Sequence, residues 1–125
     1  MPIAYVRDDD RRRLVLTATG TITCEDAIAA IDRQIDEGAW RYGILYDIRD
    51  VEILPMPSAI FDILDYVRGR VVTHGPRGPL AILTTAARDE PRVRTYTSLG
   101  HPSARVATFT DPEAASQWLA ENAGS

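Results

Sequence analysis

A nearly continuous apolar run near the middle of the chain limits the available folds more strongly than any other feature. It lies within residues 42–49, and its apolar members are Ile44, Leu45, Tyr46 and Ile48. The run is too short for a buried helix, and a strand that is apolar on both sides needs a covering layer on each face. The sequence therefore predicts a central strand in a sheet that is covered by helices.

The segments on either side of this run supply the other parts of a layered fold. Strands are predicted at 3–7 and 14–19 as a hairpin, and later at 80–84 and 105–109. Helical patterns start after Thr23, near Ser58, near Arg88 and at Pro112. The order β-β-α-β-α-β-α-β-α predicts one α/β domain over residues 1–125. Its five-stranded mixed sheet has an antiparallel first strand, and the strands joined by helices are parallel.

Charge and cysteine content exclude several classes of partner and site. The chain of 125 residues has 14 basic and 18 acidic residues, and the net charge of −4 opposes binding to nucleic acid or anionic lipid. One cysteine excludes a disulfide framework and fits a reducing compartment. No apolar run has the length of a membrane span, and residues 1–10 lack the apolar core of a signal peptide. We therefore expect a cytoplasmic protein without a membrane or nucleic-acid partner.

Two phrases of the sequence resemble a known family. Residues 44–50 (ILYDIRD) precede an amphipathic helix, and residues 106–109 (VATF) precede Asp111-Pro112-Glu113 and Trp118-Leu119. With the element order and the chain length, these phrases resemble the STAS-like family, small bacterial domains related in fold to anti-sigma-factor antagonists. The resemblance implies a STAS-like fold and a regulatory role through binding, although a shared fold alone does not transfer function.

The resemblance also bears on phosphorylation. In the regulatory members of the family, an Asp-Ser-Ser-Gly motif at the start of the helix after the third strand carries a serine that a partner kinase phosphorylates. In this chain Pro55-Met56-Pro57-Ser58 stands at that place, without the acid and the first serine. Ser58 is a candidate by its neighbourhood alone, and we expect that it is not an obligatory phosphoswitch.

Asp47 and Asp50 are polar candidates at the carboxyl edge of the predicted sheet, where ligands of open α/β sheets usually bind. Their carboxylates are suitable ligands for a hard cation, and they are equally suited to hydrogen bonds with loop amides. Cys24 lies in the first turn of a predicted helix, where the helix dipole favours a thiolate; the alternative is a small packed side chain. His74 and His101 lie in turns without a ligand-spaced partner, so no metal site is predicted.

Two further stretches are predicted to be plain turns. Arg11, Arg12 and Arg13 follow three aspartates of opposite charge, which predicts a solvated hairpin tip. Residues 75–79 (GPRGP) lack the order of strand, glycine loop and helix that binds phosphate, so they predict a stiff turn.

The connection after the third predicted strand is unusually apolar. It carries Val51, Ile53, Leu54 and Met56, and Phe61 follows in the next helix. One interpretation is a lid folded onto the core; the other is a docking surface, because contiguous exposed apolar area usually marks an interface. The candidate binding residues are Ile53, Leu54, Met56, Ser58 and Phe61.

These observations predict a non-enzymatic module that acts by association with a protein partner or a second copy of itself. No catalytic residue, metal or cofactor is predicted. One alternative is a carrier or sensor of a small apolar molecule, in keeping with the distant fold similarity of STAS-like domains to CRAL-TRIO lipid-binding domains. A third is an enzyme that uses Asp47 and Asp50 at the carboxyl edge.

Overall fold

Strands and helices follow the predicted order over residues 3–53, 57–85 and 105–122, which the computed structural model describes. The strands are β1 (Ile3–Asp8), β2 (Arg13–Thr21), β3 (Gly43–Ile53), β4 (Leu80–Leu83) and β5 (Val106–Phe109). The helices are α1 (Cys24–Asp36), α2 (Pro57–His74) and α3 (Pro112–Asn122). The helix predicted over 88–99 lies outside the described residues. No helix in the described part is long and apolar enough to cross a bilayer.

The five strands form one mixed sheet in the order β1-β2-β3-β4-β5. β1 is antiparallel to β2, and each later neighbour is parallel to the strand beside it. This arrangement confirms the predicted α/β class and the five-stranded mixed sheet. β3 occupies the centre, where Ile44 lies between Leu14 and Leu80 in the strand register.

Helices cover both faces of β3, as its apolar run predicted. Leu14, Ile44 and Leu80 belong to a buried cluster on one face, against which Ala30 of α1 packs. On the opposite face, Leu45 packs with Ala81 and with two buried residues of α3, Ala115 and Leu119. Side chains alternate between the faces of a strand, so Ile44 and Leu45 are both covered only because the sheet is covered twice.

α1 and α2 are joined through a smaller core of their own. Its buried members are Ile31, Trp40, Ile63 and Val67. Three of these residues come from the helices, and Trp40 comes from the turn after α1. The apolar stripe predicted for the second helix is therefore the surface that α2 buries, and its other side faces solvent.

The start of α1 is fixed by a capping box. The Thr23 side chain accepts a hydrogen bond from the backbone N–H of Asp26 at 3.1 Å, and the Asp26 carboxylate accepts one from the backbone N–H of Thr23 at 3.0 Å. These bonds satisfy two donors that the first helical turn leaves without partners. The predicted helix start after Thr23 is confirmed, and Gly38, with φ of +70°, follows the end of the helix.

A buried network joins the turn before β3 to the turn before β4. The Gln34 side chain donates to the carbonyl oxygens of Ala39 (2.9 Å) and Trp40 (3.2 Å), and its oxygen accepts from the Arg77 guanidinium at 3.1 Å. Arg77 also lies over the Trp40 ring, 5.4 Å from its centroid. The segment 75–79 is therefore a turn, as predicted, but Arg77 within it is buried.

The hairpin tip differs from the prediction at Arg13. Arg13 is the first residue of β2 and is only 8% exposed. Its guanidinium donates to the hydroxyl of Ser116 at 2.7 Å and to the carbonyl oxygen of the same residue at 3.1 Å. Burial lowers the pKa of Arg13. The tip is solvated only over 9–12, because α3 packs over the start of β2 and removes Arg13 from water.

Two boundaries near the apolar connection also differ from the prediction. β3 continues through Ile53, so Val51 and Ile53 belong to the strand and not to the connection. Val51 is fully buried in the core of the sheet. β2 likewise continues to Thr21, beyond its predicted end at residue 19. α2 begins at Pro57, in agreement with the predicted start near Ser58. β3 continues because Val51 and Ile53 pair with Gly20 and Thr21 of β2.

Replacement of Gly78 by Ala is expected to destabilise the protein by about 1–3 kcal/mol or more, the usual cost of overpacking. A Cβ at this position would lie 2.2 Å from the carbonyl oxygen of Tyr42 and 2.4 Å from that of Arg41. Because these are backbone atoms, the clash is relieved only by moving the turn before β3. Urea unfolding monitored by circular dichroism measures the change.

Gly69→Ala provides the matched control. Gly69 lies within α2, and a Cβ there meets no atom within 4 Å. Alanine should stabilise the helix by about 0.5–1 kcal/mol through its higher helix propensity. Equal stability of the wild type and Gly78→Ala would contradict the close approach of the two turns.

Candidate functional site

Two large apolar side chains are exposed at the carboxyl edge of the sheet. Ile53, the last residue of β3, is 56% exposed, and Phe61, one turn into α2, is 50% exposed. In sheets of parallel strands this edge is the usual place for binding, because helices begin there and the loops are free to vary. Ile53 and Phe61 are the first feature of the candidate site.

Contacts between neighbouring elements bring this region together. The backbone N–H of Ile22, just before α1, donates to the carbonyl oxygen of Ile53 at 3.1 Å. Asp62, next to Phe61 in α2, acts electrostatically on Cys24 at the start of α1. The end of β3 and the first turns of α1 and α2 therefore share one side of the molecule.

Exposed carboxylates accompany the apolar side chains. They are Glu25 at the start of α1, Asp50 and Glu52 near the end of β3, and Asp62 in α2. None of the four forms an ion pair with a described residue. We call the set of Ile53, Ser58, Phe61 and these four acids the carboxyl-edge surface.

Asp47 has a different environment, because Arg49 occupies both of its oxygens. One oxygen accepts hydrogen bonds from the backbone N–H and the Nε of Arg49, both at 3.0 Å, and the other accepts from Nη2 at 2.8 Å. These bonds hold the pKa of Asp47 below its usual value. The pair lies in an irregular part of β3, where the register with β2 shifts between Thr17 and Thr19.

This pairing removes the main support for a cation site at Asp47 and Asp50. Both oxygens of Asp47 are already occupied, while Asp50 is exposed and pairs in register with Thr19. Within 3–53, 57–85 and 105–122, no group of three or more His, Cys, Asp or Glu side chains is placed to hold a metal ion. Of the two explanations left open by the sequence, hydrogen bonding within the chain applies to Asp47.

Cys24 is half-buried at the start of α1, and its surroundings oppose ionisation. Burial raises the pKa of its thiol, and the carboxylates of Asp62 and Glu25 raise it further. Their negative charge disfavours the thiolate that the helix dipole alone would favour. The sequence missed this effect because Asp62 is distant in the chain.

Thr84, the last residue of the strand predicted at 80–84, is a further polar residue at the same edge. It follows β4 and is 3% exposed, and its backbone N–H donates to the carbonyl oxygen of Phe109 at 2.8 Å. Its hydroxyl has no hydrogen-bond partner within the described part of the chain. Burial comes from the parallel packing of β4 on β5, which sequence periodicity does not show.

One cluster of charges at the opposite edge, by contrast, is satisfied within the chain. Arg7 donates to the backbone carbonyl of Glu37 at 2.8 Å and to the carboxylate of Asp9 at 2.5 Å. The Tyr42 hydroxyl donates to the same Asp9 carboxylate at 2.6 Å, and the pKa of Asp9 is lowered by these hydrogen bonds. This cluster ties β1 to the end of α1, and its charged groups are partnered within the chain.

The structure places the predicted binding residues as follows. Ile53, Ser58 and Phe61 are exposed at the carboxyl edge. Leu54 and Met56 lie outside the described residues. Val51 is part of the core, so among the described apolar residues of this stretch the burial expected for a lid applies to Val51 and not to Ile53 or Phe61.

Solved structures share this order of strands and helices. An uncharacterised protein of the DUF3478 family from Shewanella loihica PV-4, described as having a SpoIIAA-like fold, superposes with a TM-score of 0.62. The identity is 22%, and the match covers 94% of this chain and 91% of that chain. The chain has a SpoIIAA-like fold. The predicted STAS-like domain is thereby confirmed in its fold.

A second structure with the SpoIIAA-like fold is the anti-sigma factor antagonist SpoIIAA in its unphosphorylated form. Its TM-score is 0.57 with 18% identity, over 93% of this chain and 96% of that chain. No family model and no curated protein matches the sequence. At these identities the two structures establish the fold, and function has to be argued from the residues of this chain.

Replacement of Arg49 by Gln is expected to raise the pKa of Asp47 and to lower stability at neutral pH by about 0.2–1 kcal/mol, as for solvent-screened ion pairs. The pKa of Asp47 is depressed in the folded chain, so its stabilising effect is present above the unfolded pKa. That effect disappears as the pH falls through the folded pKa. Carboxyl-carbon NMR titration and urea unfolding at neutral and acidic pH measure both effects.

Asp50→Asn is the control for this pair, because Asp50 forms no ion pair within the described residues. It should leave the titration of Asp47 nearly unchanged. An Asp47 that titrates normally in the wild type would show that the pair with Arg49 does not form in solution.

Cys24 is expected to react slowly with iodoacetamide at mildly alkaline pH, more slowly than free glutathione. Its raised pKa reduces the thiolate fraction, and partial burial limits access. Asp62→Asn should speed the reaction, and denaturant should speed it further. Alkylation followed by intact-mass spectrometry gives the rates. A wild-type rate at or above that of glutathione would show that burial and the nearby carboxylates do not suppress the reactivity of the thiol.

Proposed function

We propose that this chain is a non-enzymatic regulatory module that binds another protein through its carboxyl-edge surface. The observation that carries the proposal is the exposure of Ile53 and Phe61 at the edge of the sheet where binding sites usually form. A cytoplasmic setting, expected from the cysteine content, belongs to the same proposal.

Burial of these side chains would contribute substantially to association. Complete desolvation of one large apolar side chain is worth about 1.5–3 kcal/mol. Both lie at the ends of regular elements, Ile53 in β3 and Phe61 in α2, so little conformational order has to be gained on binding. A small apolar contact between rigid elements is the usual centre of a protein interface.

The SpoIIAA-like fold supports a protein partner. SpoIIAA itself is described as an anti-sigma factor antagonist, and its solved structure is of the unphosphorylated form. In this chain Ser58 is exposed in the first turn of α2, beside the proposed contact residues. Because the flanking acid and serine are absent, we propose that binding does not require phosphorylation of Ser58.

The enzyme interpretation loses its main support in Asp47, which is held by Arg49. Binding of a small apolar molecule and self-association remain as different outcomes of the same experiment. Native mass spectrometry of the purified protein separates them, since a retained small molecule, a dimer and a monomer differ in mass.

The decisive experiment compares proteins captured from cells by the wild type and by the double variant Ile53→Ser and Phe61→Ser. We expect the double variant to lose the partner that the wild type retains. Its stability should fall by about 1 kcal/mol per site, because each side chain is only about half buried. Quantitative mass spectrometry and urea unfolding provide the two measurements.

Val72→Ser is the matched apolar control. Val72 is 87% exposed in the last turns of α2, far along the helix from Phe61. This variant and Ser58→Ala should both retain the partner. Loss of the partner with Val72→Ser, or its retention by the double variant, would place the interface elsewhere.

A further inference from the structure

We propose that the carboxyl-edge surface selects a cationic partner: a protein face or helix that presents arginine or lysine side chains around an apolar centre. The inference deepens the proposed function and rests on it. It names the chemistry of the partner, which neither the fold nor the apolar residues specify.

The charge around the apolar side chains is of one sign. Glu25, Asp50, Glu52 and Asp62 are exposed and form no ion pair with a described residue. Arg49 is the described arginine nearest to them in β3, and Asp47 binds it through both carboxylate oxygens. Its charge also acts on Asp50, and no ion pair links it to the other three acids.

The distribution of these acids favours an extended cationic surface over a single metal ion. They come from three elements: α1 and α2 begin, and β3 ends, at the carboxyl edge that also carries Ile53 and Phe61. In the described part of the chain no three of them converge as metal ligands. Separated carboxylates beside exposed apolar side chains match a partner that carries separated cations beside its own apolar side chains. Complementary charge steers the encounter of two such surfaces and fixes their orientation.

The pKa of the Cys24 thiol indicates a negative electrostatic potential at the start of α1. Its pKa is raised by burial and by the charges of Asp62 and Glu25, so carboxylates from two helices act together on one point. At the opposite edge, Arg7 is bound by Asp9 and Glu37. On the side that carries the exposed apolar residues, Glu25, Asp50, Glu52 and Asp62 form no ion pair with a described residue.

A binding experiment with two synthetic amphipathic helical peptides tests the inference. Both peptides present the same leucine face, and their polar faces carry either arginine or glutamate. We expect the arginine peptide to bind at least about tenfold more tightly at low salt. The preference should shrink at about 1 M salt, where the Debye length falls to about 3 Å. Fluorescence anisotropy of labelled peptides gives the affinities.

Two double variants test whether the charges of this surface are responsible. Glu52→Lys with Asp62→Lys should abolish the preference for the arginine peptide. Asp10→Lys with Glu121→Lys makes the same change in net charge at the hairpin tip and the end of α3, on the opposite edge, and should keep the preference. Equal effects of the two double variants would overturn the inference, because the peptide preference would then depend on the net charge of the protein and not on the carboxyl-edge surface.

Rejection of the cationic partner can be distinguished from rejection of the proposed function. If Ile53→Ser with Phe61→Ser weakens both peptides equally and the charge variants have no effect, the binding surface stands and the cationic partner is rejected. If neither peptide binding nor partner capture responds to the apolar variant, the proposed function itself is rejected.

Discussion

The buried contact between Gln34 and Arg77 determines how the two crossovers meet at the amino edge of the sheet. Gln34 is 1% exposed, and its side chain bonds two carbonyl oxygens of the turn before β3 and the guanidinium of Arg77 in the turn before β4. The Trp40 indole N–H donates to the carbonyl oxygen of Gly75 at 2.8 Å. Buried polar groups without partners are costly, so this satisfied network leaves each turn little alternative geometry.

The position of β3 follows from that network. With the two turns fixed, the backbone N–H of Ile44 reaches the carbonyl oxygen of Pro79 at 2.8 Å, and pairing of β3 with β4 begins there. The other end of β3 extends past Val51 to Ile53. The turns at the amino edge are therefore fixed by internal hydrogen bonds, while the carboxyl edge exposes the side chains of Ile53 and Phe61 to solvent. A protein that works by association benefits from this division, because a rigid base lowers the ordering cost of binding.

Sequence reasoning succeeded where the signal was local. The apolar run containing Ile44 predicted a strand covered on both faces, and the pattern at Thr23 predicted the cap of α1. It was wrong where a distant element changed a residue's surroundings. Arg13 was predicted in a solvated charged tip, but it donates hydrogen bonds to Ser116 of α3. Val51 was predicted in a connection, but it pairs with β2.

The sequence by itself determined the class of fold, the order of the described strands and helices, and the choice of Ser58 and Phe61 as candidate binding residues. Those properties depend on periodicity and on residues close together in the chain. Only the tertiary structure decided that Asp47 is occupied by Arg49, that Asp62 acts on Cys24, and that exposed acids of three elements share the carboxyl edge with Ile53. Hydrogen bonds and electrostatic fields depend on distance in space, and residues from three elements reach one surface only after the sheet has formed.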